Sequence, residues 1–112
     1  MSEWLDSAIE KASNPITVNV SGCKIGVDEL DVIPLSAAEF QVIKQLPEIK
    51  KLPIGERQEM LGLRIIFEMM SKCDSTLTWG KFQKLPLNTL ALLASTVTDA
   101  VGSATGGGAM GN

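Results

Sequence analysis

The side chains able to do chemistry are few in this sequence, and their spacing does not bring them together. No histidine occurs in the 112 residues. A Ser-His-Asp relay, an imidazole metal site and an ordinary pH switch are excluded with it. The densest acidic run, Asp28, Glu29 and Asp31, could be read as calcium ligands, but it lacks the glycine and distal glutamate of an EF-hand loop. It reads as the solvated rim of a strand. Glu39 stands at a helix start, and Glu56 and Glu59 belong to the first turns of another helix. General acid–base work needs convergent carboxylates, and nothing points these at one another. Cys23 and Cys73 are far apart, and neither has a second ligand at a metal-binding spacing. Cys73 closes a helix instead of opening one, so no helix N-terminus lowers its pKa; both thiols read as buried and reduced. Gly106-Gly107-Gly108 is no phosphate loop, because no Lys-Ser/Thr and no helix follow it. Lys50-Lys51 is a solvated pair. The expectation is a protein without catalysis, cofactor or metal.

Composition narrows the class further. A chain of this length is one domain and buries roughly 65% of its unfolded surface. Hydrophobic residues make up 45%, with only Trp4, Trp79, Phe40, Phe67 and Phe82 aromatic, so aliphatic and methionine packing dominates. A formal charge of -3 argues against nucleic acid, which requires a basic face to displace counterions. Met1-Ser2-Glu3-Trp4 is acidic and opens no apolar signal segment. No apolar run approaches the ~20 residues that span a bilayer. The expectation is a cytoplasmic protein with no membrane partner.

The elements are set out from Val32-Ile33-Pro34-Leu35-Ser36-Ala37-Ala38-Glu39-Phe40, where an extended segment becomes a helix. Pro34 biases Ile33 towards the extended region and cannot donate to a sheet. Ser36 is the N-cap and Glu39, three residues on, completes a capping box; Leu35 and Phe40 occupy the positions of a hydrophobic staple. Before this junction, Ile16, Val18 and Val20 alternate with polar residues, as do Cys23, Ile25 and Val27. A two-residue Ser21-Gly22 loop would pair Val20 with Cys23, Val18 with Ile25 and Ile16 with Val27 on one face. The apolar phase slips after Val27, and either a bulge or a second tight turn giving a third strand would restore it. Further towards the N-terminus, Leu5, Ala8, Ile9 and Ala12 form a narrow stripe on a helix over residues 3–12, capped by Ser2 and ended by Ser13-Asn14-Pro15. At two and a half turns it either packs on the domain or orders when a partner arrives.

After the junction, Phe40, Val42, Ile43 and Leu46 give a helix that stops before Pro47, and residues 48–53 form a proline-bracketed connector. The longest helix is expected over residues 55–72. Its middle is apolar around most of its circumference, with Arg57, Arg64 and Glu68 as a polar line, which implies burial on more than one side. Thr78 caps a short segment with Trp79, Phe82 and Leu85 at helical spacing. Asn88 then caps a final helix carrying Leu90, Leu93, Val97, Ala100 and Val101 and ending at Gly102. The fold class is α+β: a small N-terminal antiparallel hairpin or sheet, then a helical body of three to four helices. Residues 1–101 form a single domain, divided into an arm over 1–13, a hairpin region over 16–33 and a helical body over 36–101. Residues 102–112 read as a disordered Gly-rich tail.

Val18-x-Val20-x-Gly22-x-x-Ile25, the junction Leu30-Asp31-Val32-x-Pro34-Leu35-Ser36-x-x-Glu39-Phe40, a long helix, Trp79-x-x-Phe82-x-x-Leu85-Pro86 and a closing helix resemble, over residues 14–101, the tail assembly chaperones of long-tailed bacteriophages. Ile33 stands where that family often has a basic residue, and the N-terminal arm has no counterpart. The resemblance implies a non-enzymatic, self-associating protein of the host cell cytoplasm. Such a protein keeps the helical tape-measure protein soluble while tail-tube subunits polymerise around it, and leaves before the virion is complete. It also gives the glycine run a meaning, since many such chaperones have a longer form made by ribosomal frameshifting near the end of the shorter one. The client groove expected from the sequence is built from Phe67, Met69, Met70, Trp79 and Phe82, with core packing as the other reading of the same residues. Leu35, Ser36, Glu39 and Phe40 are structural. The alternative is a small tail or head-completion subunit retained in the virion; a small regulatory binder unrelated to phage is a third reading.

Overall fold

The computed structural model describes residues 3–104. At the N-terminal end the stripe over Glu3–Ala12 forms helix α1 (Glu3–Ala12). The Ser13 amide and hydroxyl both donate to the Ile9 carbonyl, at 3.1 and 3.0 Å, and the Asn14 amide donates to Lys11 at 3.2 Å. Pro15 follows and cannot continue the helix. None of the residues of α1 is buried, so the helix is formed without entering the core.

Strand β1 (Ile16–Asn19) pairs antiparallel with β2 (Glu29–Val32). Ile16 faces Val32 and Val18 faces Leu30 on one side; Thr17 faces Asp31 on the other, its hydroxyl donating to the Asp31 carboxylate at 2.8 Å. This register corrects the tight Ser21-Gly22 hairpin. Asn19 draws the chain out of the strand by accepting from the Ser21 amide and hydroxyl, at 3.0 and 2.8 Å. Ser21–Cys23 becomes a turn of 3-10 helix, and Lys24 and Gly26 both take positive φ, 57° and 94°. The Val20 amide reaches the Asp28 carbonyl at 2.7 Å, closing the loop. Cys23 is buried by this route while Val27 is left exposed. The phase slip after Val27 therefore marks a loop, and neither a bulge nor a third strand forms there. Ser-Gly is a weak turn pair, whereas Leu30 and Val32 match Ile16 and Val18 in phase, and burial of that matched face fixes the register.

The junction forms as a capping box. Ser36 Oγ accepts from the Glu39 amide at 3.1 Å and Glu39 Oε1 accepts from the Ser36 amide at 2.8 Å, opening α2 (Ala37–Lys44). Replacing Ser36 by Ala is expected to cost about 1 kcal/mol of unfolding free energy, read by urea denaturation. The connector expected over residues 48–53 instead begins as a single helical turn, α3 (Pro47–Lys50), with proline at its start and Ile49 buried. Pro47 lacks only a donor that a first turn leaves unused. Arg57 Nη2 satisfies the carbonyls of Lys50 and Leu52, at 2.8 and 3.0 Å.

Helix α4 (Ile54–Ser71) is the centre of the fold. At 18 residues it is about 27 Å long, and it packs against α2, α3, the sheet and two later helices, α5 (Trp79–Phe82) and α6 (Leu87–Ala104). Its last turn is stitched to the strand–helix junction. The Ile33 amide donates to the Met69 carbonyl at 3.1 Å, which a helix end otherwise leaves without a partner. Lys72 donates to Pro34 O at 3.2 Å and to Glu39 at 2.8 Å. Thr78 caps α5 by accepting from the Lys81 amide at 3.3 Å. Helix α6 begins at Leu87, one residue before the expected Asn88 cap, with the Pro86 carbonyl taking the Leu90 amide at 3.0 Å. It also continues past Gly102, which lacks the positive φ of a helix-ending glycine. A lone glycine weakens a helix by only about 1 kcal/mol. Ser2 and residues 105–112 of the expected tail lie outside the described residues.

The body thus has five helical segments after the sheet, two of them single turns. One core joins Val18, Val20, Cys23 and Val32 from the sheet region to Ile66, Phe67, Met69 and Met70 of α4, Phe82 of α5, and Leu90, Leu93 and Val97 of α6.

Candidate partner-binding groove

The residues expected to form a client groove do come together, but facing inward. Phe67, Met69, Met70 and Phe82 are buried and Trp79 is half-buried. Phe67 meets the Trp79 ring edge-on at 5.5 Å and the Phe82 ring at 5.4 Å, while Trp79 and Phe82 stack at 5.8 Å. Arg64 covers the cluster, 4.9 Å from the Trp79 centroid and 5.7 Å from that of Phe67, held by Glu68 at 2.8 Å and Glu48 at 3.6 Å. This is a core with a cationic lid, and the expectation of an open groove there is corrected. A helix apolar on nearly every side must bury more than one face, and periodicity does not tell which one stays open.

The face that does stay open lies across the junction. Pro34, Leu35, Ala37 and Phe40 form one wall, Gly62, Ile65 and Ile66 of α4 with Met69 form the floor, and Thr98, Val101 and Gly102 of α6 form the other wall. The space between them is about 650 Å³, and no charged side chain lines it among the described residues. Its polar hydroxyls are those of Ser36, already engaged by the Glu39 amide, and Thr98. Two glycines widen it. A Cβ built on Gly62 or on Gly102 would meet nothing within 4 Å, so bare backbone faces the opening on floor and wall. Leu35 and Phe40, read from the sequence as a staple, are the half-buried walls of this groove. Gly62 was the other available signal, because glycine within a helix is unfavourable and implies a packing or binding reason.

One end of the groove is held electrostatically. The hydrogen bond from Lys72, and after it that from the Ser36 amide, hold the Glu39 carboxyl below its ordinary value near 4.5. A depressed carboxyl pKa contributes stability that is present above that ordinary value and is lost as pH falls through the folded value. Both side chains are well exposed, so screening keeps the contribution under ~1 kcal/mol. Stability followed from pH 7 down to acid should therefore fall below about 4.5. In Glu39→Gln, which keeps the capping acceptor, that part of the fall should disappear.

A second cleft brings Cys73 beside Asp31, Glu29 and Asp74. Cys73 is exposed, unlike the buried thiol expected, whereas Cys23 is buried. Partial desolvation, and then the Asp31 charge, push the Cys73 thiol above its ordinary pKa, the opposite of what a nucleophile requires. Among the described residues no group of three or more Cys, Asp or Glu is placed to hold a metal ion, and no helix is long and apolar enough to cross a membrane.

The arm is a further exposed apolar surface, as are the single side chains of Val42, Ile54 and Leu87. Trp4 is 74% exposed and Ile9 57%, and only the base of α1, at Ala8, Lys11 and Ala12, borders a shallow cleft shared with Pro34. Comparison with family models, with curated proteins and with solved structures gives no match for this chain.

Proposed function

We propose that this protein is a non-enzymatic binding protein that receives an amphipathic helix of a partner in the groove between α2, α4 and α6. The observation that carries the reading is a carbon-lined groove bounded by Leu35, Ala37 and Phe40, within the same junction that carries the sequence resemblance. A client helix setting apolar residues at i, i+3 and i+4 into such a groove is the usual helix-in-groove mode.

The particular role proposed is that of a phage tail assembly chaperone, with the tape-measure protein as client and tail-tube subunits as the agents that displace it. Magnitudes favour such a transient role. Three anchors buried in the groove supply roughly 5–9 kcal/mol gross, and association costs at least about 4 kcal/mol. A single groove therefore holds its client weakly and releases it readily. Several self-associated copies along one long client gain by effective concentration.

Co-expression with the tape-measure protein tests the reading. The expected result is a several-fold rise in soluble tape-measure protein, with this chain absent from purified virions. Stoichiometric presence in virions, with no rise in solubility, would instead favour the retained tail or head-completion subunit. A longer frameshifted form belongs to the same proposal; the Gly106 to Gly108 run on which it rests lies outside the described residues.

A further inference from the structure

Among the described residues no third strand covers either edge of the sheet, and the register shows which backbone groups the β2 edge presents. The Val20 amide donates to the Asp28 carbonyl at 2.7 Å. The pairs in step with it, Val18 with Leu30 and Ile16 with Val32, are therefore the ones that exchange hydrogen bonds. Glu29 and Asp31 turn their N–H and C=O groups away from β1, and among the described residues no backbone group meets them. Ile33, next in the same phase, shows the direction, since its amide leaves the sheet for the Met69 carbonyl. Alongside this edge runs the cleft of about 560 Å³, lined by Glu29, Leu30 and Asp31 of β2 and by Cys73, Asp74 and Leu77 beyond α4. It shares no lining residue with the groove between α2, α4 and α6.

We propose that the β2 edge receives an extended segment of a partner protein as a third strand, and that this segment alternates basic and apolar residues. The pleat sets the alternation. Directly opposed residues share a face of the sheet, so those opposite Glu29 and Asp31 stand on the carboxylate face. The residue between them stands on the face that Leu30 turns to the core, where Met70 and Leu77 line the same cleft. Charge selects the occupant. Glu29, Asp31 and Asp74 line the cleft, and no cation pairs with them among the described residues. Lys72, the neighbour of Cys73, is engaged by Glu39 and the Pro34 carbonyl. A lysine or arginine opposite each β2 carboxylate supplies the missing partner, and opposite charges paired across strands are favourable. The same carboxylates repel a second copy of this edge, so the partner is a different protein. Because Ile33 is tied to α4, the added strand is confined to the stretch opposite residues 28–32. Its main-chain hydrogen bonds give the affinity and its side chains the specificity. The inference is independent of the client helix and its groove.

The direct test titrates the end-blocked peptide TKVKVT into the isotope-labelled full chain and follows amide resonances and hydrogen exchange. Saturable binding with a Kd below about 1 mM is expected. Exchange at the Glu29 and Asp31 amides should slow at least about tenfold, while Thr17 and Asn19, on the other edge of the sheet, stay unchanged. The acidic peptide TEVEVT should not bind. TKVKVT methylated on both lysine amides keeps its charge and loses its strand donors, and its affinity should fall at least about tenfold. Glu29→Lys, at an exposed position, should weaken binding of TKVKVT by about tenfold or more with an unchanged melting temperature. Absence of binding at about 1 mM peptide, the behaviour of an edge merely guarded by its charges, would overturn the proposal. So would binding that survives both methylations, because that is charge attraction alone, or protection at Thr17 and Asn19 in place of Glu29 and Asp31.

Discussion

Phe67→Ala is expected to lower the unfolding free energy by about 3–5 kcal/mol, as read by urea denaturation. Phe67 is buried at the meeting point of α4 and α5, in ring contact with both Trp79 and Phe82 and roofed by Arg64. Its loss leaves a cavity and also removes ring–ring contacts worth about 0.5–1.5 kcal/mol each beyond their buried area. A domain of this size is stable by about 5–15 kcal/mol, so the variant stands near the limit of folding. Met69→Glu should be equally severe, because Met69 is 6% exposed and an unpaired carboxylate there is strongly unfavourable. A loss below ~1 kcal/mol in Phe67→Ala, the range usual for surface positions, would show that the aromatic cluster is a surface and would restore the groove expected from the sequence.

Gly62→Leu is expected to separate binding from stability. A Cβ built on Gly62 would meet nothing within 4 Å, so the first carbon of a side chain enters the groove without a clash. Leucine is the better helix former by about 0.8 kcal/mol, and the melting temperature should rise by about 4 °C. The same side chain occupies the floor on which a client helix would rest, so client capture should fall at least tenfold, about 1.4 kcal/mol. Opposite signs for stability and capture are what a merely structural glycine would not give. If capture is unchanged in the stabilised variant, the client does not use this groove.

The parts of the fold that were legible in the sequence are those set by local chemistry. Ser36 and Glu39 form their capping box because its partners lie within one turn. Helix α4 follows its sequence pattern to within a residue of each expected end, and Thr78 caps α5 as its hydroxyl allows. Sheet register was not legible, because the six apolar residues from Ile16 to Val27 pair equally well on paper. The decision rests on Leu30 and Val32, which lie beyond a loop that buries Cys23 and exposes Val27. Nor was the groove legible. Its walls come from residues 34–40, 62–69 and 98–102, brought together by the seating of α4 between α2 and α6. Met69 belongs to both accounts, since it was singled out in the sequence and lies on the groove floor, yet its side chain is counted with the core.

The claim that this groove holds a client helix is tested most directly by site-specific crosslinking in a Cys73→Ser background. A benzophenone carried on a cysteine at Thr98, an exposed position on the groove wall, is irradiated with the chain bound to co-expressed tape-measure protein. The predicted result is a covalent adduct between the two proteins from Thr98, and none from the same probe at Lys24, which is exposed on the loop after β1. An adduct from Lys24 with none from Thr98 would contradict it.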